Sequence, residues 1–250
     1  MLNLLRVRIN QGFQTIKDIR NAKPPEKFRG LPVVDTINCE QEKCAKCADL
    51  CPTGAITVSP LQIDLCKCLF CPDCQTACPE GVIEFTNNPR VAATEPDSLL
   101  IRQGKPSSPV VKSTKEIRGI FKRSLKLRSV SAGGCNGCEM ELNAASNVHF
   151  DMARFGFSFT ASPRHADALV LSGPMTRNMT YAFEQTYKAI AEPKMLILFG
   201  ACALSGGLFR NSSAIERNIL NNYKISLYVP GCPPHPLTFV NGLLDLVGAK

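Results

Sequence analysis

Apolar residues near the start of the chain, Leu2, Leu5, Ile9, Phe13, Ile16 and Ile19, recur at three- and four-residue steps. That is one face of a 3.6-residue period, and it predicts an amphipathic helix over residues 1–22 that stops before Pro24 and Pro25. Arg6, Arg8, Lys17 and Arg20 lie mostly off the stripe. Over residues 35–88 the apolar runs are short. Ile56 to Val58 and Val82 to Phe85 each follow a turn glycine, Gly54 or Gly81, and read as short strands. Residues 89–128 carry Pro89, Pro96, Pro106 and Pro109 with few large apolar groups, which is linker composition. From Lys126 onward strands and helices alternate. Leu127 to Val130, Ala168 to Leu171, Met195 to Phe199 and Ile225 to Val229 read as strands. Glu139 to Asn147, Tyr181 to Ala191, Ala214 to Tyr223 and Leu237 to Val247 read as helices. Strands spaced by helices predict a parallel sheet, whose ligands sit beyond the carboxyl ends of the strands.

Charge sharpens this division. The net charge of +8 is concentrated in residues 1–34, with seven basic and two acidic residues, and in residues 102–128, with nine basic and one acidic. Residues 35–101 are acidic, with ten acidic and four basic residues. A basic linker raises nucleic-acid binding as an alternative, but the stretch lacks interleaved aromatics beyond Phe121; a solvated or subunit-docking linker fits it better. No apolar run approaches the roughly 18 residues of a membrane span, and no signal peptide or twin-arginine is recognisable. The expected setting is cytoplasmic, with clustered cysteines serving as metal ligands rather than disulfides. The terminal, basic, amphipathic stretch predicts docking on a membrane partner or on the bilayer surface.

The 13 cysteines fall into three groups. Cys39, Cys44, Cys47 and Cys51, the last followed by Pro52, are repeated as Cys68, Cys71, Cys74 and Cys78, followed by Pro79. The third group is Cys135 and Cys138, then Cys202, then Cys232, and Cys66 stands outside all three. Twelve thiolates suit three 4Fe-4S clusters at four cysteines each. Cys68-x2-Cys71-x2-Cys74-x3-Cys78 has bacterial-ferredoxin spacing, in which three thiolates hold one cluster and the cysteine before proline holds the other. This assigns Cys68, Cys71, Cys74 and Cys51 to one cluster and Cys39, Cys44, Cys47 and Cys78 to the second. The first motif departs from the usual spacing: Gln41 occupies the place expected for the first cysteine, and Cys39 must reach back over a longer loop. A zinc site built from four cysteines is the competing chemistry. Cys135, Cys138, Cys202 and Cys232 all follow predicted strands, so they are expected to converge on one rim of the sheet.

The phrase GGCNGCEME at 133–141, with SPRHADALVLSGPMTRNM at 162–179, FGACALSGGLF at 199–209 and VPGCPPHP at 229–236, resembles the small subunit of membrane-associated, energy-converting NiFe hydrogenases of the formate hydrogenlyase type. A core subunit of respiratory complex I is related, but its first ligands are typically adjacent. Here Asn136 and Gly137 separate Cys135 from Cys138, which favours the hydrogenase branch. The first half, entered through Phe28, Arg29, Gly30 and Pro32, resembles the two-cluster ferredoxin-like subunit of the same complexes. The chain thus looks like a fusion of two neighbouring subunits, a tether that keeps two relay domains at high effective concentration.

The resemblance implies an amphipathic helix and arm at 1–34, a bacterial-ferredoxin-like α+β domain at 35–88, a basic linker at 89–128 and a flavodoxin-like parallel-sheet α/β domain at 129–250. It further implies a proximal 4Fe-4S cluster on Cys135, Cys138, Cys202 and Cys232, facing the active site of a separate NiFe hydrogenase-like large subunit. The chain would be an oxidoreductase subunit, inactive alone, peripheral on the inner face of the cell membrane, with electron-input and membrane-arm subunits as further partners. A complex I-like ferredoxin or quinone oxidoreductase subunit without nickel is the alternative. Glu139 and Glu141 follow the first ligands; Glu139 reads as a first-turn helix acid or as an aid to proton movement or docking. His149, His165 and His235 are expected to be structural or interfacial, and Arg164 and Arg177 interfacial by resemblance.

Overall fold

The structure is a computed structural model that describes residues 2–35, 45–104 and 109–249. Cys39 and Cys44, two ligands expected from the sequence, lie outside the described residues.

The first helix, α1 (Leu2–Gln11), is half the length that the apolar stripe predicts. Gly12 ends it: its φ is +61°, and its N–H bonds the carbonyl of Arg8, the left-handed closure that glycine adopts without a Cβ penalty. The stripe then serves two purposes. Leu5 and Ile9 are 59 % and 78 % exposed, whereas Ile19 is 2 % exposed. Residues 13–22 run as an arm across the C-terminal half. The Ile16 N–H bonds the carbonyl of His149, Asn241 Nδ2 donates to the Ile19 carbonyl, and Arg20 pairs with Asp245. The periodicity is real, but its second half contacts a surface that is distant in sequence.

The cysteine repeat then forms β1 (Pro32–Val34), α2 (Lys46–Asp49), β2 (Ile56–Val58), β3 (Leu61–Asp64), α3 (Asp73–Ala77) and β4 (Ile83–Phe85). β1 pairs antiparallel with β4, and β2 with β3. The stretch with linker composition carries structure as well. β5 (Leu100–Arg102) adds to β3 as a third antiparallel strand, and Ala93 exchanges backbone hydrogen bonds with Tyr228. A helix, α4 (Lys115–Phe121), is capped by the Thr114 hydroxyl, which accepts from the Ile117 N–H. Prolines discourage central strands but not edge strands, and composition does not show that β3 offers a free edge.

The C-terminal half contains β6 (Leu125–Ser131), α5 (Gly137–Ala145), β7 (Phe157–Phe159), β8 (Ala168–Ser172), α6 (Arg177–Ala189), β9 (Met195–Phe199), α7 (Ala201–Ser205), β10 (Leu227–Val229) and α8 (Pro236–Val247). Its five strands are all parallel, in the order β10-β9-β8-β6-β7. Counted from β6 this is the flavodoxin-like order, 2-1-3-4-5 read from the other edge. One predicted helix is not formed: within 214–223 only a single 3-10 turn, Asn218–Asn222, appears. Ile215 instead bridges antiparallel to Thr176, which draws the chain out of helical geometry.

Both faces of the sheet are buried, which explains its unbroken apolar runs. Ala168, Val170, Ile197 and Phe199 point to one side, toward residues of α5 and α8. Leu169, Leu171, Leu196 and Leu198 point to the other, where they share one core with Leu61, Ile63, Leu65 and Ile83 of the cysteine repeat. The repeat is therefore packed onto the sheet rather than hung from it. Each fully buried leucine or isoleucine in that seam contributes about 1.5–3 kcal/mol.

Candidate functional site

In the repeat, Cys51, Cys68, Cys71 and Cys74 surround one mostly apolar cavity, walled also by Ala55, Ile56 and Ile63. The local fold aims backbone donors at the sulfurs. Gly54 and Gly81 have φ of +56° and +62°, and the turns they make place the Ala55 N–H 3.2 Å from Cys51 Sγ and the Val82 N–H 3.4 Å from Cys78 Sγ. The two copies of the Cys-Pro-x-Gly phrase thus produce the same N–H···S contact. The Phe70 N–H adds a third at Cys68 Sγ, 3.3 Å away. Burial, then the neighbouring Cys74, Cys51 and Cys71, push the Cys68 thiol up to about 12 against the opposing Phe70 N–H; Cys74 is pushed to about 11, mainly by burial. Thiols so placed stay protonated at neutral pH, and they would ionise there only against a cationic group such as a bound metal. Of the second predicted set, Cys47 is buried near Cys74, and Cys78 is half-buried.

Cys135, Cys138, Cys202 and Cys232 come together at the carboxyl ends of β6, β9 and β10. Burial raises the Cys138 thiol first, followed by Glu139, Cys202, Cys232 and Cys135. Cys202 is raised by burial and then by Cys232 and Cys135. Close backbone approach frames this set. A Cβ on Gly200 would lie 2.5 Å from Cys138 Sγ, and one on Gly207 would lie 3.0 Å from Cys202 Sγ. Such a cradle, open only where side chains are missing, leaves room for a bulky group on the sulfurs. Among the described residues, no group of three or more His, Cys, Asp or Glu side chains is placed to hold a single metal ion. Both sets offer four thiols and no other donor, a chemistry that iron–sulfur clusters and zinc both accept. In each set the sulfurs would hold the bound group, and in the repeat the amides of Ala55 and Phe70 already bond two of those sulfurs.

The two cysteine regions face one cavity, lined by Leu69 and Phe70 of the repeat and by Cys232 and Pro233 of the rim. Burial raises the Cys232 thiol, and the next contributors are Cys135 and Cys71, the last of which belongs to the repeat. Sequence spacing gave no sign of this proximity. Cys66 joins neither set; its amide bonds Asp64 Oδ1, and burial with Asp64 beside it pushes its thiol up to about 12. Two of the three histidines make hydrogen bonds to the backbone. His235 Nδ1 accepts from the Leu237 N–H and caps α8, and His149 Nδ1 meets the Gln14 carbonyl at 3.0 Å. His165 sits in a 3-10 turn. Glu139 Oε1 accepts from Ser172 Oγ at 2.6 Å, while Oε2 is buried with no hydrogen-bond partner among the described residues. Burial raises its pKa, but hydrogen bonds from Ser131 and Ser172 outweigh this and hold the carboxyl below its usual value.

A parallel doubly wound sheet with four cysteines on its carboxyl rim defines a class of oxidoreductase subunit, and comparison with known proteins gives the family. The model of the NADH ubiquinone oxidoreductase 20 kDa subunit matches residues 135–246, beginning at the first rim cysteine. Formate hydrogenlyase subunit 7 of Escherichia coli is 38 % identical over 128 residues, which is 51 % of this chain and 50 % of that protein. A probable membrane-bound hydrogenase subunit of Pyrococcus furiosus, mbhJ, is 36 % identical over 115 residues, 46 % of this chain and 69 % of that one. An NADH-quinone oxidoreductase subunit of Heliobacterium modesticaldum is 39 % identical over 116 residues, 46 % and 66 % of the two chains. The chain belongs to the NADH ubiquinone oxidoreductase 20 kDa subunit family, whose members here are subunits of hydrogenase and NADH-quinone oxidoreductase assemblies. It spans half the length of the formate hydrogenlyase subunit and about two thirds of the other two.

Proposed function

We propose that this chain is the electron-transfer subunit of a NiFe hydrogenase-type, complex I-related assembly, carrying three 4Fe-4S clusters to the active site of a separate large subunit. Cys39, Cys44, Cys47 and Cys78 hold the first, Cys68, Cys71, Cys74 and Cys51 the second, and Cys135, Cys138, Cys202 and Cys232 the third. The observation that carries this reading is that the loop between Cys68 and Cys71 shares a cavity with Cys232, on a repeat and a sheet that share one apolar core. Clusters, when bound, would supply one-electron redox chemistry; the repeat would hold its cluster among apolar side chains with amides on the sulfurs, and the rim would hold its own at an exposed edge where a partner can reach it. Met140, Leu208 and Phe209 are exposed beside Cys138 and Cys202, an apolar surround suited to a large-subunit interface. The spacing of Cys135 and Cys138 favours a nickel-containing partner over a quinone reductase. Nickel in the co-purifying large subunit, together with hydrogen turnover, would decide between them.

Protein purified without oxygen is expected to contain about twelve irons per chain with matching acid-labile sulfide. Stoichiometric zinc with little iron would end the electron-relay reading.

The exposed half of the N-terminal stripe, flanked by Arg6 and Arg8, docks the assembly at the membrane. No helix among the described residues is long and apolar enough to cross one. Deleting residues 1–13 is expected to release the complex from membranes with its melting temperature unchanged. Deleting residues 1–22 is expected to lower that temperature too, since it exposes the pocket of Ile19, worth about 1.5–3 kcal/mol. Membrane fractionation and calorimetry of both variants test this; wild-type membrane retention by the shorter deletion would remove the docking role.

A further inference from the structure

We propose that Arg217 is the fixed positive charge that raises the reduction potential of the rim centre, drawing electrons out of the repeat and onto the sheet. This rests on the cluster assignment above. Arg217 is half-buried. Its Nη1 donates to the Cys202 carbonyl at 3.0 Å and its Nη2 to the Leu204 carbonyl at 2.8 Å. The stem passes over Gly206, where a Cβ would lie 3.2 Å from Arg217 Cδ, so the missing side chain makes room for the guanidinium. Among the described residues no carboxylate pairs with it. The ionisable groups it faces are the thiols of Cys202, in the rim set, and Cys66, in the loop leading to Cys68. The guanidinium thus lies at the seam between the two centres and grips the backbone of a rim ligand.

Closing the last turn of a five-residue helix does not by itself require a charge, and even partly desolvating one with only carbonyls as partners is costly. A cluster on Cys202 supplies the missing negative charge. Because reduction makes a cluster more negative, a nearby cation stabilises the reduced form more than the oxidised one, and does so strongly where the dielectric constant is low. The rim centre, whose carbonyl Arg217 holds, gains more than the centre beyond Cys66. Arg217 is in this sense a positioning and tuning residue, not a ligand.

The test is an electron paramagnetic resonance redox titration of the complex purified without oxygen, comparing the unaltered chain with Arg217→Lys and Arg217→Gln. Lysine keeps the charge; glutamine keeps N–H donors for the carbonyls but has no charge. The expected result is a lower midpoint potential for the rim signal in Arg217→Gln, a smaller shift in the repeat signals, and a nearly unaltered value in Arg217→Lys. Loss of the rim signal from Arg217→Gln alone, with Arg217→Lys at the original potential, also upholds a need for charge. Equal potentials in all three proteins, an equal fall in both variants, or loss of the rim signal from both would overturn the proposal and leave Arg217 a helix cap. An unaltered complex with no rim signal would instead refute the cluster assignment.

Discussion

Replacing Cys202 with Ser is expected to remove the rim cluster and leave the other two in place. The iron content should fall by about four of twelve atoms, and the two repeat signals should persist. Cys202 opens α7 directly beyond β9, and its thiol faces Cys135 and Cys232 rather than the cavity of Cys51, Cys68, Cys71 and Cys74. Electron delivery to the large subunit should fall by more than the roughly 10–100-fold that changes around a metal ligand produce, because the ligand itself is gone. Metal analysis with spectroscopy of the reduced complex checks this. Because repeat and sheet share one apolar core, the substitution also tests whether that core holds without the rim cluster. Loss of all three signals together would mean that the repeat depends on the rim for its fold.

Gly200→Ala is expected to be nearly as damaging, although it deletes nothing. Gly200 sits at φ +92° and ψ 154°, a region essentially restricted to glycine, where another residue costs about 1–3 kcal/mol. Its new Cβ would also stand 2.5 Å from Cys138 Sγ, so the ligand must move. Backbone strain and ligand displacement are separable with Gly12→Ala. Gly12 also has positive φ, +61°, but a Cβ there meets nothing within 4 Å. The control, strained in a segment that the fold does not need, should keep both the melting temperature and the rim signal, whereas Gly200→Ala should lose the rim signal. If Gly200→Ala binds iron like the unaltered chain, the close packing around Cys138 is not a cluster cradle.

The sequence alone determined the chemistry and the local elements. The Cys-Pro-x-Gly repeat is visible in one dimension because each N–H···S turn is built within five residues, from Cys51 to Ala55 and from Cys78 to Val82. β8 and β9 are legible because central strands buried on both faces need unbroken apolar runs, and the helical spacing of the four expected strands implies parallel order, which places Cys135, Cys138, Cys202 and Cys232 on one rim; the edge strand β7, three residues long, was not legible. Tertiary structure alone decided whatever depends on a partner distant in the chain. The apolar stripe at 1–22 has one period throughout, yet Gly12 divides it and α8 claims its second half. Residues 214–223 have apolar spacing suited to a helix, but pairing of Ile215 with Thr176 leaves only a single turn and brings Arg217 under Cys202. The approach of Cys71 to Cys232 spans 161 positions and follows from the seam between the repeat and the sheet. Local periodicity records what each segment must bury, whereas the surface that buries it is set by shape and packing across the whole fold.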